Sequence, residues 1–157
     1  MVEIKNFLDK AESSLRTIDH LVYITYPLIK ENRLLKKILE QIYESATIII
    51  EAILQYEYMY KRIKLYQDKK QNFEIFTNKC AARFNITQEE VVVLKELFNL
   101  MEKHKESSFE FTRKDKLVIM SNNLKTESVG LEQVKKYLNI LKIILKKAKT
   151  LINKPLF

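Results

Sequence analysis

One glycine, Gly130, and two prolines, Pro27 and Pro155, are all the punctuation this chain of 157 residues has. A fold of many strands needs a tight turn every few residues, and such turns draw on glycine for positive φ and on proline for fixed φ. Long helices joined by few connections are therefore the default reading. The length suits a single domain, residues 1–157, and 46% apolar residues are enough to fill one core.

Apolar positions place the helices. Ile4, Phe7, Leu8, Ala11, Leu15, Ile18 and Val22 recur at three- and four-residue steps, which predicts a first amphipathic helix ending before Pro27, because the residue ahead of proline is pushed out of helical geometry. Leu35, Ile38, Ile42, Ala46, Ile49, Ile53, Tyr56, Tyr60 and Ile63 extend the same spacing into a long second helix, from about residue 33 to 66. A shorter third helix carries Phe73, Phe76, Cys80 and Phe84. Thr87-Gln88-Glu89-Glu90 is a capping box, in which the Thr hydroxyl takes an early amide and the Glu reaches back to the cap; it opens a fourth helix ending near Lys105. Asn122-Asn123, which tolerate left-handed backbone, suggest a small β-hairpin of Leu117–Ser121 with Leu124–Ser128, its apolar side laid on the bundle. A last helix then runs from Ser128 or Val129 to before Pro155, burying Val134, Leu138, Leu141, Leu145, Ala148 and Ile152. The expected fold is all-α: an antiparallel bundle of about five helices with one small hairpin before the last.

Charge is the feature that bears most on function. Lys and Arg against Asp and Glu count 7 to 9 over residues 1–60, 7 to 2 over 61–84, 6 to 7 over 85–116 and 8 to 2 over 117–157, so two segments carry the whole net +8. In the first, Tyr60 and Tyr66 interleave Lys61, Arg62, Lys64, Lys69 and Lys70; in the second, Lys135, Lys142, Lys146 and Lys149 stand on the last helix. Arg113, Lys114 and Lys116 form a further cluster just before the hairpin. Basic side chains neutralise phosphates and release counterions, and tyrosines between them offer stacking faces, so nucleic acid is the first partner these residues propose. The competing reading is that the lysines, 23 against 5 arginines, only solvate the outer faces of helices.

Catalytic and metal chemistries find little to build on. Cys80 is the sole cysteine, which excludes an intrachain disulfide and a cysteine-built metal site and suits a reducing compartment. The two histidines, His20 and His104, have Thr17 and Met101 three residues before them, not the Glu of a helical di-metal motif. A single glycine cannot build a phosphate loop. The reading is a non-enzymatic protein with no metal, no cofactor and no evident small-molecule ligand. Glu3 and Asp9 interrupt any signal-peptide pattern, and no apolar run reaches the roughly 18 residues of a membrane span, so the expected location is the cytoplasm.

Two stretches carry a resemblance. "FLDKAESSLRTIDHLVYITYPLI" followed by "QIYESATIIIEAILQYE" resembles the opening helix pair of HEPN-type helical bundles, and with "FTRKDKLVIMS" the chain is also similar to a group of small archaeal proteins. The resemblance implies an all-helical fold and association with RNA, since that family includes RNases and antitoxin partners. Its catalytic signature sets roughly four to six residues between an Arg and a late His, whereas the nearest pair here, Arg16 and His20, has three residues between and lies on the first helix. No catalytic residue carries over, and an RNase stands as the remote alternative. A third reading is a homodimer. The long helix outruns a domain of this size, and Tyr56, Met59, Tyr60, Ile63 and Tyr66 near its far end place large side chains on more than one face, as an interface would.

Overall fold

The computed structural model of the protein describes the backbone of residues 1–106, 109–113, 116–120 and 126–154. Side chains are described over the same stretches except at 104–106, 109–113, 116, 120, 126 and 127. Five helical units and one small sheet account for nearly all of these residues. The all-α fold with a small β element stands as expected.

The first unit passes Pro27 instead of stopping before it. Helix α1, Val2–His20, runs into a π-helical turn, Leu21–Thr25, and then into the short helix α2, Tyr26–Ile29. The wide turn, in which the Tyr26 N–H donates to the Leu21 carbonyl, lets the chain restart its hydrogen bonding, so Pro27 falls in the first turn of a new segment where no N–H is required of it. Lys30, at φ 52°, ends the unit in left-handed backbone.

Helix α3, Asn32–Met59, is 28 residues or about 42 Å long, shorter than the spacing of its apolar residues predicts. Its end is a Schellman motif: the Arg62 N–H donates to the Glu57 carbonyl at 3.0 Å and the Lys61 N–H to the Tyr58 carbonyl at 2.9 Å, with Lys61 left-handed at φ 59°. After this corner come α4, Lys69–Ile75, and a second π-helical turn, Phe76–Cys80. That segment ends on another Schellman motif, with Ile86 N–H to the Ala81 carbonyl, Asn85 N–H to the Ala82 carbonyl, and Asn85 at φ 58°. Helix α5, Gln88–Glu106, opens on the capping box as read, with the Glu90 N–H on Thr87 Oγ1 at 3.2 Å and the Thr87 N–H on Glu90 Oε1 at 2.9 Å.

The sheet has three antiparallel strands where a two-stranded hairpin was expected: β1 Phe109–Arg113, β2 Lys116–Met120 and β3 Thr126–Val129. Leu117 opposes Val129 and Ile119 opposes Glu127, one residue later on β3 than the expected register; the Asn122-Asn123 turn lies outside the described residues. Leu117, Ile119 and Val129 are buried on the bundle while Val118 is half-exposed, the period-two alternation of a sheet with one covered face. Gly130 then caps α6, Leu131–Ile152, which begins two residues after Val129.

α3 is the hub of the bundle and packs against α1, α5, α6, the second π-helical turn and β2. Small residues admit close approach, as where the Ser14 and Ser45 hydroxyls meet at 2.7 Å between α1 and α3. Leu15, Ile18, Ile42, Ile49, Ile53, Leu97, Leu138, Leu141 and Leu145 all lie in one core cluster. Phe73 joins Phe98 at 4.7 Å between ring centroids, and Tyr43 meets Phe98 edge-on at 5.1 Å, which fastens α4 to α5 and α3. Among the described residues no helix is long and apolar enough to cross a membrane.

Candidate nucleic-acid interface

The corner that ends α3 builds the site. Because Lys61 turns left-handed, the chain leaves the helix sharply and the next residues run alongside α4. Two devices fix this connection at its far end. The Asn72 side-chain amide brackets Tyr66, accepting its N–H at 2.8 Å and donating to its carbonyl at 2.7 Å. Asp68 caps α4 by accepting the Lys70 N–H at 3.0 Å. Between the connection, α4 and the second π-helical turn lies an open cleft of about 610 Å3. Lys61, Arg62, Lys64 and Lys79 line it against one acid, Glu74, and Tyr66 supplies an exposed ring.

Behind the cleft lies a buried carboxylate. Glu57 is 1% exposed, and Arg62 Nη1 donates to its Oε2 at 2.9 Å. Arg83 Nε lies 3.2 Å from Oε1, an ion pair in contact though misaligned for a hydrogen bond. The Arg62 guanidinium also stands over the rings of Tyr60, at 4.7 Å, and Tyr56, at 5.9 Å. Burial, reinforced by the negative charge of Glu57, pushes the Cys80 thiol up to about 12, so it is protonated and unreactive near neutral pH.

The lysines of α6 are arranged differently. Lys142 is ion-paired with Asp19, and Lys149 with Glu12 and Asp9, all on α1. Lys136 reaches Glu96 on α5 at 3.7 Å, and Lys147 donates to Glu90 at 2.8 Å and to the Asn85 carbonyl at 2.6 Å. Lys135 pairs with Glu132 at 3.5 Å and, like Lys142, approaches the Tyr23 ring. Burial raises the pKa of Glu90, but the Lys147 ammonium and the Thr87 amide and hydroxyl outweigh it, so the carboxyl titrates below its ordinary range. Of the four α6 lysines proposed for nucleic acid, only Lys146 has no ion pair among the described residues.

In the first basic segment, Lys70 pairs with Glu102 on α5 at 3.0 Å and Lys69 is exposed outside the cleft lining. Lys61, Lys64 and Lys79 have no ion pair among the described residues. Lys79 lies inside the segment of excess charge but has no mark of its own in the sequence. The helical spacing of Glu57 to Lys61 predicts an ordinary surface pair, but the glutamate is buried and pairs with Arg62 and Arg83 instead. Lys114 and the side chains of Arg113, Lys116 and His104 lie outside the described residues. His20 Nδ1 sits 3.3 Å from Thr25 Oγ1 on the first unit, away from the cleft lining.

The residues proposed for a dimer interface divide. Tyr56 and Ile63 are buried in the chain's own core, at 9% and 8% exposure, so they have no surface to give a second copy. That corrects their assignment: the early end of α3 folds Ile63 back under the corner. Tyr60 is half-buried, and Met59 and Tyr66 are exposed. Comparison with profiles of known families, with curated proteins and with solved structures finds no match.

Proposed function

We propose that the protein is a non-enzymatic module that binds the backbone of nucleic acid, RNA foremost, through the cleft at the end of α3 and without reading sequence. The observation that carries this is the set of unpaired cations at one concave place. Lys61, Lys64 and Lys79 line the cleft with no acid among the described residues attached to them, beside Arg62, while the lysines of α6 are mostly engaged by carboxylates of other helices. Lysines act as mobile point charges suited to phosphates, and base edges are read by groups held in fixed geometry. Tyr66 adds a face on which any base can stack.

Fluorescence anisotropy with single-stranded RNA and DNA across a salt series tests the proposal. Four cations in the cleft, Lys61, Arg62, Lys64 and Lys79, should give single strands a log-log salt slope of about −3, with little dependence on base composition. An absence of salt-sensitive binding at about 50 mM salt would overturn it.

A second reading, self-association, has its own support in exposed apolar residues on α2 and the turn before it. Ile24, Leu28 and Ile29 are 51%, 81% and 55% exposed. The mass of the particle in solution at high micromolar concentration tests it, with Leu28→Lys expected to restore a monomer.

A further inference from the structure

We infer that Arg62 is the group that fixes a phosphate in this cleft, and that the buried Glu57 is the residue that positions it; the inference rests on the nucleic-acid reading above. Main chain and side chain lock Arg62 at once. Its N–H closes the Schellman motif on the Glu57 carbonyl, and its Nη1 holds the Glu57 carboxylate at 2.9 Å. The plane of the guanidinium is set further by the Tyr60 ring. A guanidinium carries five N–H donors, so the bond to Glu57 leaves most of them uncommitted to that carboxylate, and the side chain stays 34% exposed on the cleft wall. A fork held this way suits the paired oxygens of a phosphodiester, while Lys61, Lys64 and Lys79 attract the strand without orienting it.

The second Schellman motif shows that this ion pair is not needed to end a helix. At Ala81 and Ile86 the same two positions are filled by apolar side chains, 2% and 4% exposed, the usual closure of such a cap. A buried carboxylate is expensive to desolvate, and an apolar pair in its place is often neutral or stabilising. Glu57 and Arg62 stand where the cheaper solution was open to the chain, at the one corner that faces the cleft. Orientation of Arg62 is the return on that cost.

The test exploits a difference of sign. Glu57→Gln makes the protein more positive by one charge, so a cleft working by charge alone would bind RNA more tightly. A positioning role predicts the reverse: affinity for a single-stranded RNA falls about tenfold while the salt slope is unchanged, because no cation is lost. Arg62→Lys keeps the charge and removes the fork, and should show the same pattern. Arg62→Gln should weaken binding and also flatten the slope by about 0.7. Thermal unfolding of each variant accompanies the titrations, and if Glu57→Gln does not fold, Arg62→Lys decides. If wild type binds and the reversal of Lys61, Lys64 and Lys79 to Glu abolishes binding, yet Glu57→Gln and Arg62→Lys bind as tightly as wild type or tighter, the inference falls and the function stands. If wild type itself does not bind, the function falls first.

Discussion

Lys142, Lys147 and Lys149 on α6 each end on a carboxylate of another helix, while Lys61, Lys64 and Lys79 around the cleft end on no acid among the described residues. By composition the two regions are near equals, with excesses of 5 and 6 positive charges over residues 61–84 and 117–157. What separates them is the neighbourhood. α6 packs on α1 and α5, and the acid surplus of the first 60 residues includes Asp9, Glu12 and Asp19, which face it. Its lysines therefore complete the rim of the bundle. The connection after α3 has no such neighbour among the described residues, and Lys61 and Lys64 there end on no acid. A basic excess points to a ligand only after the charges that the fold itself consumes have been set aside.

Five variants sharpen or break this contrast. Leu141→Ala, on the buried side of α6, should cost about 2–5 kcal/mol in denaturant unfolding, since the side chain is 1% exposed; a loss below about half a kcal/mol would mean that α6 is not anchored by that face. Reversing Lys61, Lys64 and Lys79 together to Glu should weaken RNA binding at least about 100-fold, or about 2.7 kcal/mol, with unfolding little changed. Equal loss of binding in a Lys142→Glu, Lys149→Glu protein would erase the distinction between the two regions.

Glu90→Gln should lower stability by about 1 kcal/mol at neutral pH: the amide oxygen can still accept the Thr87 N–H and keep the capping box, so the loss is the negative charge that anchors Lys147. The Glu90 carboxyl is held below its ordinary 4.5 in the folded chain, so its contribution is present above that value and is lost as pH falls through the lower folded one. Acid unfolding of wild type should therefore steepen below about pH 4.5, and the Gln variant should lack that component. The smallest effect belongs to Lys142→Gln: its pair with Asp19 is part-exposed on both sides, and such pairs contribute about 0–1 kcal/mol, less in high salt.

The bundle was legible in the sequence where the determinants are local and repeated. Apolar spacing marked the core of α1, α3 and α6, and Thr87 with Glu90 announced the start of α5. The end of α3 was not legible, because Ile63 keeps the helical spacing and the residue that turns the corner is a lysine, whose left-handed backbone has no sequence mark as a glycine's would. Helix passage beyond Pro27 needed a π-helical turn that no residue pattern announces. Strand β1 depends on its partner β2, and the pairing of α6 lysines with other helices joins positions 40 to 140 residues apart. The basic segment was visible; which of its lysines the fold had already engaged was not.

Cys80 turns the corner region into something that can be timed. Its thiol is fully buried at the end of the π-helical turn that carries Lys79, and its raised pKa leaves almost no thiolate in the closed state. An alkylating reagent must wait for that segment to open, so the rate of modification counts excursions of the cleft wall rather than the chemistry of the sulfur. Where opening destroys the cleft, a bound strand holds the segment shut. The labelling rate should then fall by the factor 1 + [L]/Kd, which yields an affinity for this site alone from a single thiol.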